Sequence, residues 1–230
     1  MDAEKGQVDR VRHPGPPLGI VATVFVLLFL AGLYPVTQFG GTPYFPGPWE
    51  SPDTIATFFQ TRSSGVLATA FLHFGAAIPL GIFTATVVSQ LRFLGARVAG
   101  TYIALFGGFT TAFTMIVSSS MLWSLTQPGI VQDKALVQAL YWLDQALGGS
   151  GFSVPFGLLI AGICVPALIM KLLPKWIVIP GLLIALIGEL SWINLVVPKA
   201  LFLVPFTRFP GFLWMIIAGL ALPNRIKSVA

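Results

Sequence analysis

Six long apolar stretches, separated by short polar or proline-rich segments, dominate the chain. A helix needs about 20 mostly apolar residues to cross the hydrocarbon core of a bilayer. The stretches that meet this length are about 18–36, 66–89, 99–123, 152–170, 176–197 and 201–222. The pattern predicts an all-α bundle of six transmembrane helices that forms a single domain over 18–224, with short tails at 1–17 and 225–230.

The first stretch could be read either as a cleaved signal peptide or as a retained span. Its apolar run from Leu18 to Leu33 is longer than the apolar region of a signal peptide, which is about 7–15 residues. The run is followed by Tyr34-Pro-Val-Thr-Gln rather than by a small-residue cleavage site. We therefore expect a retained first span.

The segment 39–65 is rich in glycine, proline and aromatic residues, and it contains the signals of a short helix. Ser51 can cap the helix, Pro52 suits its first position, and Asp53 complements the helix dipole. The apolar side of this helix would be formed by Ile55, Phe58 and Phe59.

The segment 131–147 predicts an amphipathic helix about 25 Å long on the outer side. Its apolar stripe would be formed by Leu136, Leu140, Leu143 and Leu147. The residues off that stripe are Lys134, Gln138, Tyr141 and Gln145. The helix could lie over the outer mouth of the bundle as a lid, or it could only shield helix ends, and both interpretations stay open.

Composition agrees with a chain that lives in lipid, since 56% of the residues are hydrophobic and 9% are charged. This balance excludes a disordered chain and an ordinary water-soluble domain. A single cysteine, Cys164, excludes a disulfide framework, and two histidines are too few for a His-rich metal centre. We expect no cofactor and no metal, and no soluble segment is long enough to bind nucleic acid.

The basic residues predict the orientation of the spans. With six spans, nine basic residues fall on one side, namely Lys5, Arg10, Arg12, Arg92, Arg97, Lys171, Lys175, Arg225 and Lys227. Four fall on or near the other side, namely Arg62, Lys134, Lys199 and Arg208. Because cytoplasmic loops retain positive charge, both termini are predicted to be cytoplasmic.

Small residues at a spacing of four predict the faces on which the helices pack together. The second span carries the series Ala77, Gly81, Ala85 and Ser89. The third span carries Gly100, Ala104, Gly108 and Ala112, and the fifth carries Gly181 and Ala185. We expect these stripes to face inward.

Three ionisable residues, Glu189, Arg208 and His73, lie inside predicted spans, where charged groups are costly and are candidates for function. Each lies about 12 Å below the outer boundary of its span, at 1.5 Å per residue. We therefore predict one buried polar cluster in the outer half, in which a Glu189–Arg208 pair shares two hydrogen bonds. Further lining residues would be Trp192, Asn194, Ser191 and Ser118 to Ser120.

Structural interpretations of the same residues stay open. If the sixth helix begins at Pro210, Arg208 only caps the interface. A Glu189–Arg208 pair could also do no more than pin two helices together. His73 could be a hydrogen-bonded packing residue.

Four stretches of the second half resemble a family of bacterial six-helix integral membrane proteins of unknown function. They are Phe156-Gly-Leu-Leu-Ile-Ala-Gly, Leu173-Pro-Lys-Trp, Gly188-Glu-Leu-Ser and Arg208-Phe-Pro-Gly-Phe-Leu-Trp. The resemblance covers roughly residues 130–224. It implies a small prokaryotic membrane protein, with no settled activity, in a bacterial inner membrane.

Three functions follow as hypotheses. The first is a non-enzymatic protein that binds or transports a small or lipidic ligand, with a site formed by Glu189, Arg208, His73, Trp192 and Asn194. The second is a structural or accessory membrane subunit whose ion pair fixes helix packing. The third is a membrane-embedded enzyme with His73 or Glu189 as general base. The sequence shows no recognisable nucleophile or metal site for such an enzyme. The expected partners are the lipid bilayer and a small-molecule or lipid ligand.

Overall fold

The computed structural model describes residues 10–227, which are almost entirely helical. The helices are α1 (Leu18–Leu33), α2 (Pro52–Thr61), α3 (Ser63–Phe93), α4 (Ala99–Ser124), α5 (Pro128–Val131), α6 (Lys134–Gly148), α7 (Ser150–Ile169), α8 (Lys175–Leu190) and α9 (Leu203–Ala221). Short 3-10 turns occupy Tyr34–Val36, Gln38–Gly40, Ser191–Leu195 and Pro198–Phe202. Two short strands, β1 (Arg10–Arg12) and β2 (Arg225–Lys227), lie near the ends of the described chain.

Six helical segments are long and apolar enough to cross a membrane, so the prediction of an all-α, multi-pass membrane protein is confirmed. Their bounds are Leu18–Val36, Ser63–Phe93, Ala99–Ser124, Lys134–Ile169, Lys175–Leu195 and Pro198–Ala221. The fourth segment contains both α6 and α7. Gly149 separates these two helices, because its backbone angles, φ −83° and ψ −101°, are not helical.

The helices form a closed ring in which α1 packs on α3, α3 on α4, α4 on α7, α7 on α8, α8 on α9, and α9 on α1. The antiparallel pairing of β1 with β2 joins the two tails, with Val11 opposite Ile226. Both tails therefore meet at one end of the ring, as an even number of crossings requires. We call this the inner end and the opposite one the outer end, while the cytoplasmic location of the tails stays a prediction.

The closest helix contact is the one between α4 and α7, where backbones touch directly. A Cβ on Gly162 would lie 2.4 Å from the backbone nitrogen of Ala104 and 2.6 Å from the carbonyl oxygen of Gly100. A Cβ on Gly107 would lie 2.5 Å from the backbone nitrogen of Leu159. The predicted stripe of Gly100 and Ala104 thus does face inward, because small residues allow this approach.

The predicted stripe on the second span is wrong beyond Ala77. Ala77 is buried, but Gly81 is only half-buried and Ala85 and Ser89 are exposed. The face of α3 that packs into the bundle carries larger side chains instead, namely Leu80, Phe83, Val87 and Leu91. Small size alone did not identify the inward face, because bulky side chains fill this part of the core. Gly181 and Ala185 on α8 are buried, as predicted.

A second hydrophobic cluster caps the outer end of the ring. The predicted signals of α2 are confirmed, since the Ser51 Oγ accepts a hydrogen bond from the Thr54 backbone nitrogen at 3.1 Å. The predicted apolar side is buried, with Phe59 fully covered. Phe45 of the preceding loop packs edge-on against Phe58 and Phe59. This cap holds the loop over the bundle.

The buried face of α6 is not the predicted leucine stripe. Leu136 and Leu143 are 41% and 51% exposed, whereas Val137, Tyr141 and Asp144 are buried. Polar bonds fix this orientation, because the Tyr141 hydroxyl donates to the Pro46 carbonyl at 2.9 Å. Leucine side chains at this position can face the membrane interface without loss, so the usual inside-apolar rule does not set the orientation.

Candidate ligand-binding site

A cavity of about 450 Å³ lies at the outer end, between α1, α3, α4, α6 and α9. The loop residues Tyr44 to Glu50 border its mouth, and Phe29 and Phe152 form apolar walls. The charged residues of its lining are Arg208, the buried Asp144 and the exposed Glu50. Its size falls within the range of about 300–1,000 Å³ that is typical of small-molecule sites.

Arg208 enters the cavity from the second turn of α9, which continues through Pro210. The alternative in which the sixth helix begins at Pro210 is therefore wrong. An Nη2 hydrogen of Arg208 is donated to the carbonyl oxygen of Gly148, at the end of α6. The guanidinium carbon lies 5.3 Å from the ring centre of Phe29 and 4.8 Å from that of Phe152. These aromatic faces stabilise a cation, yet the Arg208 Nε is buried and has no hydrogen-bond partner.

Asp144 is the carboxylate of the site, and it lies on α6 with 6% of its surface exposed. Its Oδ1 accepts a hydrogen bond of 2.6 Å from the Ser118 hydroxyl on α4. Gly148 allows this contact, because a Cβ there would lie 2.9 Å from the Ser118 oxygen. Arg208 and Asp144 form no ion pair, and within residues 10–227 the single ion pair joins Lys134 to Asp53. Arg208 and Asp144 thus both line the cavity without pairing with each other.

His73 borders the same cavity from α3, as predicted. Its Nε2 lies 3.0 Å from the carbonyl oxygen of Phe29, and its ring stacks on the Phe29 ring at 4.3 Å between centres. Because a carbonyl oxygen only accepts, Nε2 carries the hydrogen, which leaves Nδ1 as the acceptor of the neutral ring. Gly32 allows this approach, since a Cβ there would lie 2.6 Å from the His73 ring.

Glu189 does not join the cluster, so the predicted pairing of Glu189 with Arg208 is wrong. Its Oε1 is buried against α7 and has no hydrogen-bond partner, and a Cβ on Gly157 would lie 3.2 Å from it. The reason is rotation about α9. Thr207 faces α8 at Gly188, whereas Arg208, about 100° further round the helix, faces α1 and α7.

Of the other predicted lining residues, some line the cavity and the others lie outside it. Ser118 and Ser119 do line the cavity. Trp192 is 56% exposed and lies outside it. Asn194 accepts a hydrogen bond from the Ser150 hydroxyl at 2.8 Å and borders a smaller space of about 120 Å³ next to the main cavity. Ser191 is buried and donates to the Gly188 carbonyl.

Asp144 is not among the predicted site residues, although the sequence contains a signal for it. It is the only carboxylate in the apolar segment Lys134–Ile169, which has 36 residues. A lone acid in such a segment is a candidate by the same argument that selected Glu189. Treating 131–147 as a helix outside the bundle concealed it.

Comparison of this chain with protein-family models, with curated proteins and with solved structures finds no match. The family resemblance therefore stays a prediction. The chemistry of the site has to be argued from its own groups. A guanidinium that lines a cavity can bind an anionic group, and a carboxylate that lines the same cavity can accept a hydrogen bond from a hydroxyl.

Proposed function

We propose that this membrane protein binds a small ligand that carries both an anionic group and hydroxyl donors, in the cavity at its outer end. The observation that supports this most directly is that Arg208 and Asp144 both line the cavity without forming an ion pair. The anionic group would meet the Arg208 guanidinium, and a hydroxyl would donate to Asp144. The proposal is a non-enzymatic role.

Energetics favour a ligand over an empty site. A buried polar group without a partner costs about 1–3 kcal/mol, and more when it is charged. The Arg208 Nε is such a group, and the Asp144 carboxylate has a single hydrogen bond from the protein. Protein atoms cover the Nε itself, so a ligand anion in the cavity would instead stabilise the charge of the guanidinium, and a hydroxyl would add a hydrogen bond to Asp144.

Access supports binding from the outer side. The loop Tyr44 to Glu50, which lies at the outer end, forms part of the lining of the cavity. Transport would in addition require the inner end to open. We also propose that the protein lies in a bacterial inner membrane. Two features of the sequence support this location: the basic residues near the tails, and the resemblance of the second half to a bacterial family.

The test uses glycerol 3-phosphate, a soluble compound with one anionic group and two hydroxyls. Its affinity for the purified full-length protein in detergent would be measured by calorimetry. Arg208→Gln should weaken binding about 10- to 100-fold, because a hydrogen bond to a charged group contributes about 1.5–3 kcal/mol.

Arg92→Gln is the matched control. Arg92 lies at the inner end of α3, where its guanidinium covers the ring of Tyr102. This variant should bind like the wild type. No binding by the wild type, or equal effects of the two substitutions, would contradict the proposal.

A structural role is the second candidate, and one observation favours it. Arg208 donates to the carbonyl of Gly148 at the end of α6, where a cation stabilises the helix terminus. Arg208 would then only hold α6 against α9. In that case Arg208→Gln lowers the melting temperature, and the wild type does not bind the ligand.

A further inference from the structure

A second space lies on the membrane-facing side of α3 and α4, close to the cavity. Its volume is about 750 Å³, and nearly all of its lining is apolar. We call it the lateral groove, and its walls are formed by Leu67, Phe71, Phe74, Ile78 and Trp123. These side chains are 45–76% exposed, so the groove opens toward lipid rather than into the core.

Gly75 lines the groove and keeps it open. A Cβ on Gly75 would meet no atom within 4 Å. This differs from Gly107 and Gly162, where a Cβ would strike the neighbouring backbone. The glycine on α3 is therefore not needed for helix packing. Its effect is to leave room for something that is not part of the chain.

The groove and the cavity are adjacent. Ser119 of α4 lines both of them. On α1, Phe29 lines the cavity while its chain neighbour Leu28 lines the groove, and on α3 the same holds for His73 and Leu72. The two spaces therefore share a wall at the buried Ser119, past which a ligand with a polar and an apolar part would have to reach.

We infer that the lateral groove holds the hydrocarbon chain of the ligand whose polar group occupies the cavity, so that the ligand is a single-chain anionic amphiphile. This inference rests on the proposed function, because the polar group has to bind between Arg208 and Asp144. The apolar walls and the missing side chain at Gly75 suit a flexible chain. The hydroxyl and anionic groups suit the charged cavity.

The experiment compares glycerol 3-phosphate with its monoacyl ester, which keeps the phosphate and one hydroxyl and carries one hydrocarbon chain in place of the other hydroxyl hydrogen. Both affinities are measured for the full-length protein in one detergent. Gly75→Leu places a side chain in the groove from a position where the added Cβ meets no atom within 4 Å. We expect the ester to bind at least about 10-fold more tightly than glycerol 3-phosphate to the wild type, and Gly75→Leu to remove this gain.

Gly81→Leu is the matched control, because Gly81 lies on the same helix outside the groove, with its nearest neighbour, Phe109, 3.9 Å from an added Cβ. It should keep the gain. Partition of the ester into micelles is the same for all variants, so it does not affect the comparison. Unchanged affinity of Gly75→Leu for glycerol 3-phosphate shows that the variant is folded, and Gly75→Ala provides a smaller filling of the groove.

The outcomes separate the two proposals. If glycerol 3-phosphate binds but the gain survives in Gly75→Leu, the chain lies elsewhere and the inference is overturned while the proposed function stands. If Gly75→Leu and Gly81→Leu reduce the gain equally, the inference is also overturned. If neither compound binds to the wild type, the proposed function itself fails.

Discussion

The two ends of the ring treat buried polar groups differently. At the inner end, the Gln90 amide donates to the carbonyl oxygens of Leu222 and Pro223, at 3.2 and 2.8 Å. His13 bonds through Nε2 to the Ser89 hydroxyl and through its backbone nitrogen to Asn224. At the outer end, Arg208 keeps an unused donor and forms no pair with Asp144.

This difference indicates that buried polar groups have two roles in this protein: they stabilise the fold at the inner end and line a cavity at the outer end. The inner groups connect the first and last helices to α3 and have their partners within the chain. The outer groups surround a space, and their hydrogen bonds within the chain leave Arg208 and Asp144 unpaired with each other. We therefore expect substitutions at the inner end to change stability and those at the outer end to change binding.

The largest effect on stability is expected for Gln90→Leu. It leaves two carbonyl groups without their side-chain donor, so the free energy of unfolding in detergent should fall by about 1–3 kcal/mol. Affinity for glycerol 3-phosphate should not change. Thermal unfolding and calorimetry measure the two quantities. Gln60→Leu is the control, because Gln60 is exposed and donates to the Val131 carbonyl at the surface. If Gln60→Leu lowered the free energy of unfolding as much as Gln90→Leu, the two ends would not differ in the way described.

Asp144→Asn should have a smaller effect on stability, within about 1 kcal/mol of the wild type. The substitution loses the attraction between Asp144 and Arg208, which destabilises the fold. It also removes the cost of burying a carboxylate that accepts one hydrogen bond, and this offsets the loss. Affinity for glycerol 3-phosphate should fall about 10-fold, since an amide accepts hydrogen bonds less strongly than a carboxylate. A loss of stability as large as that of Gln90→Leu would make Asp144 a structural residue.

The smallest effect is expected at the surface pair of Asp53 and Lys134, which joins α2 to the start of α6 at 2.7 Å. The hydrogen bond from Lys134, together with its charge, lowers the pKa of Asp53 below the usual value. The pair therefore stabilises the fold above the unfolded pKa of aspartate, about 4, and this contribution is lost as pH falls through the lowered pKa.

Asp53→Asn should consequently lower the melting temperature slightly at pH 7 and not at all at pH 2. Both side chains are mostly exposed, so water and salt screen the pair. Melting curves at the two pH values measure the difference. A difference that persists at pH 2 would show that the hydrogen bond, not the charge, is what matters.

Much of the fold could be predicted because local signals agree with the environment. The cap at Ser51 and the six apolar stretches are examples, since hydrogen bonding at a helix start and the thickness of a bilayer act over short distances. The buried face of α6 could not be predicted in this way. In a membrane protein an apolar stripe can face lipid, so the stripe does not say which side is inside.

The candidate site was predicted in part for a related reason. Depth within a span follows from counting residues, and it correctly indicated that Arg208 and His73 lie near each other at the outer end. The direction in which a side chain points depends on how each helix is rotated in the ring. Glu189 has a suitable depth but points toward Gly157, while Asp144 came from a helix that was expected to lie outside.

The pairing of β1 with β2 has a consequence for the order of the helices along the chain. Because it holds the two tails together at the inner end, a short linker could join them covalently. New ends could then be made in the turn at Gly95, which lies at the same end. Every helix would keep its direction across the bilayer. The fold of the ring therefore does not depend on which helix comes first, and a circularly permuted chain should adopt the same fold.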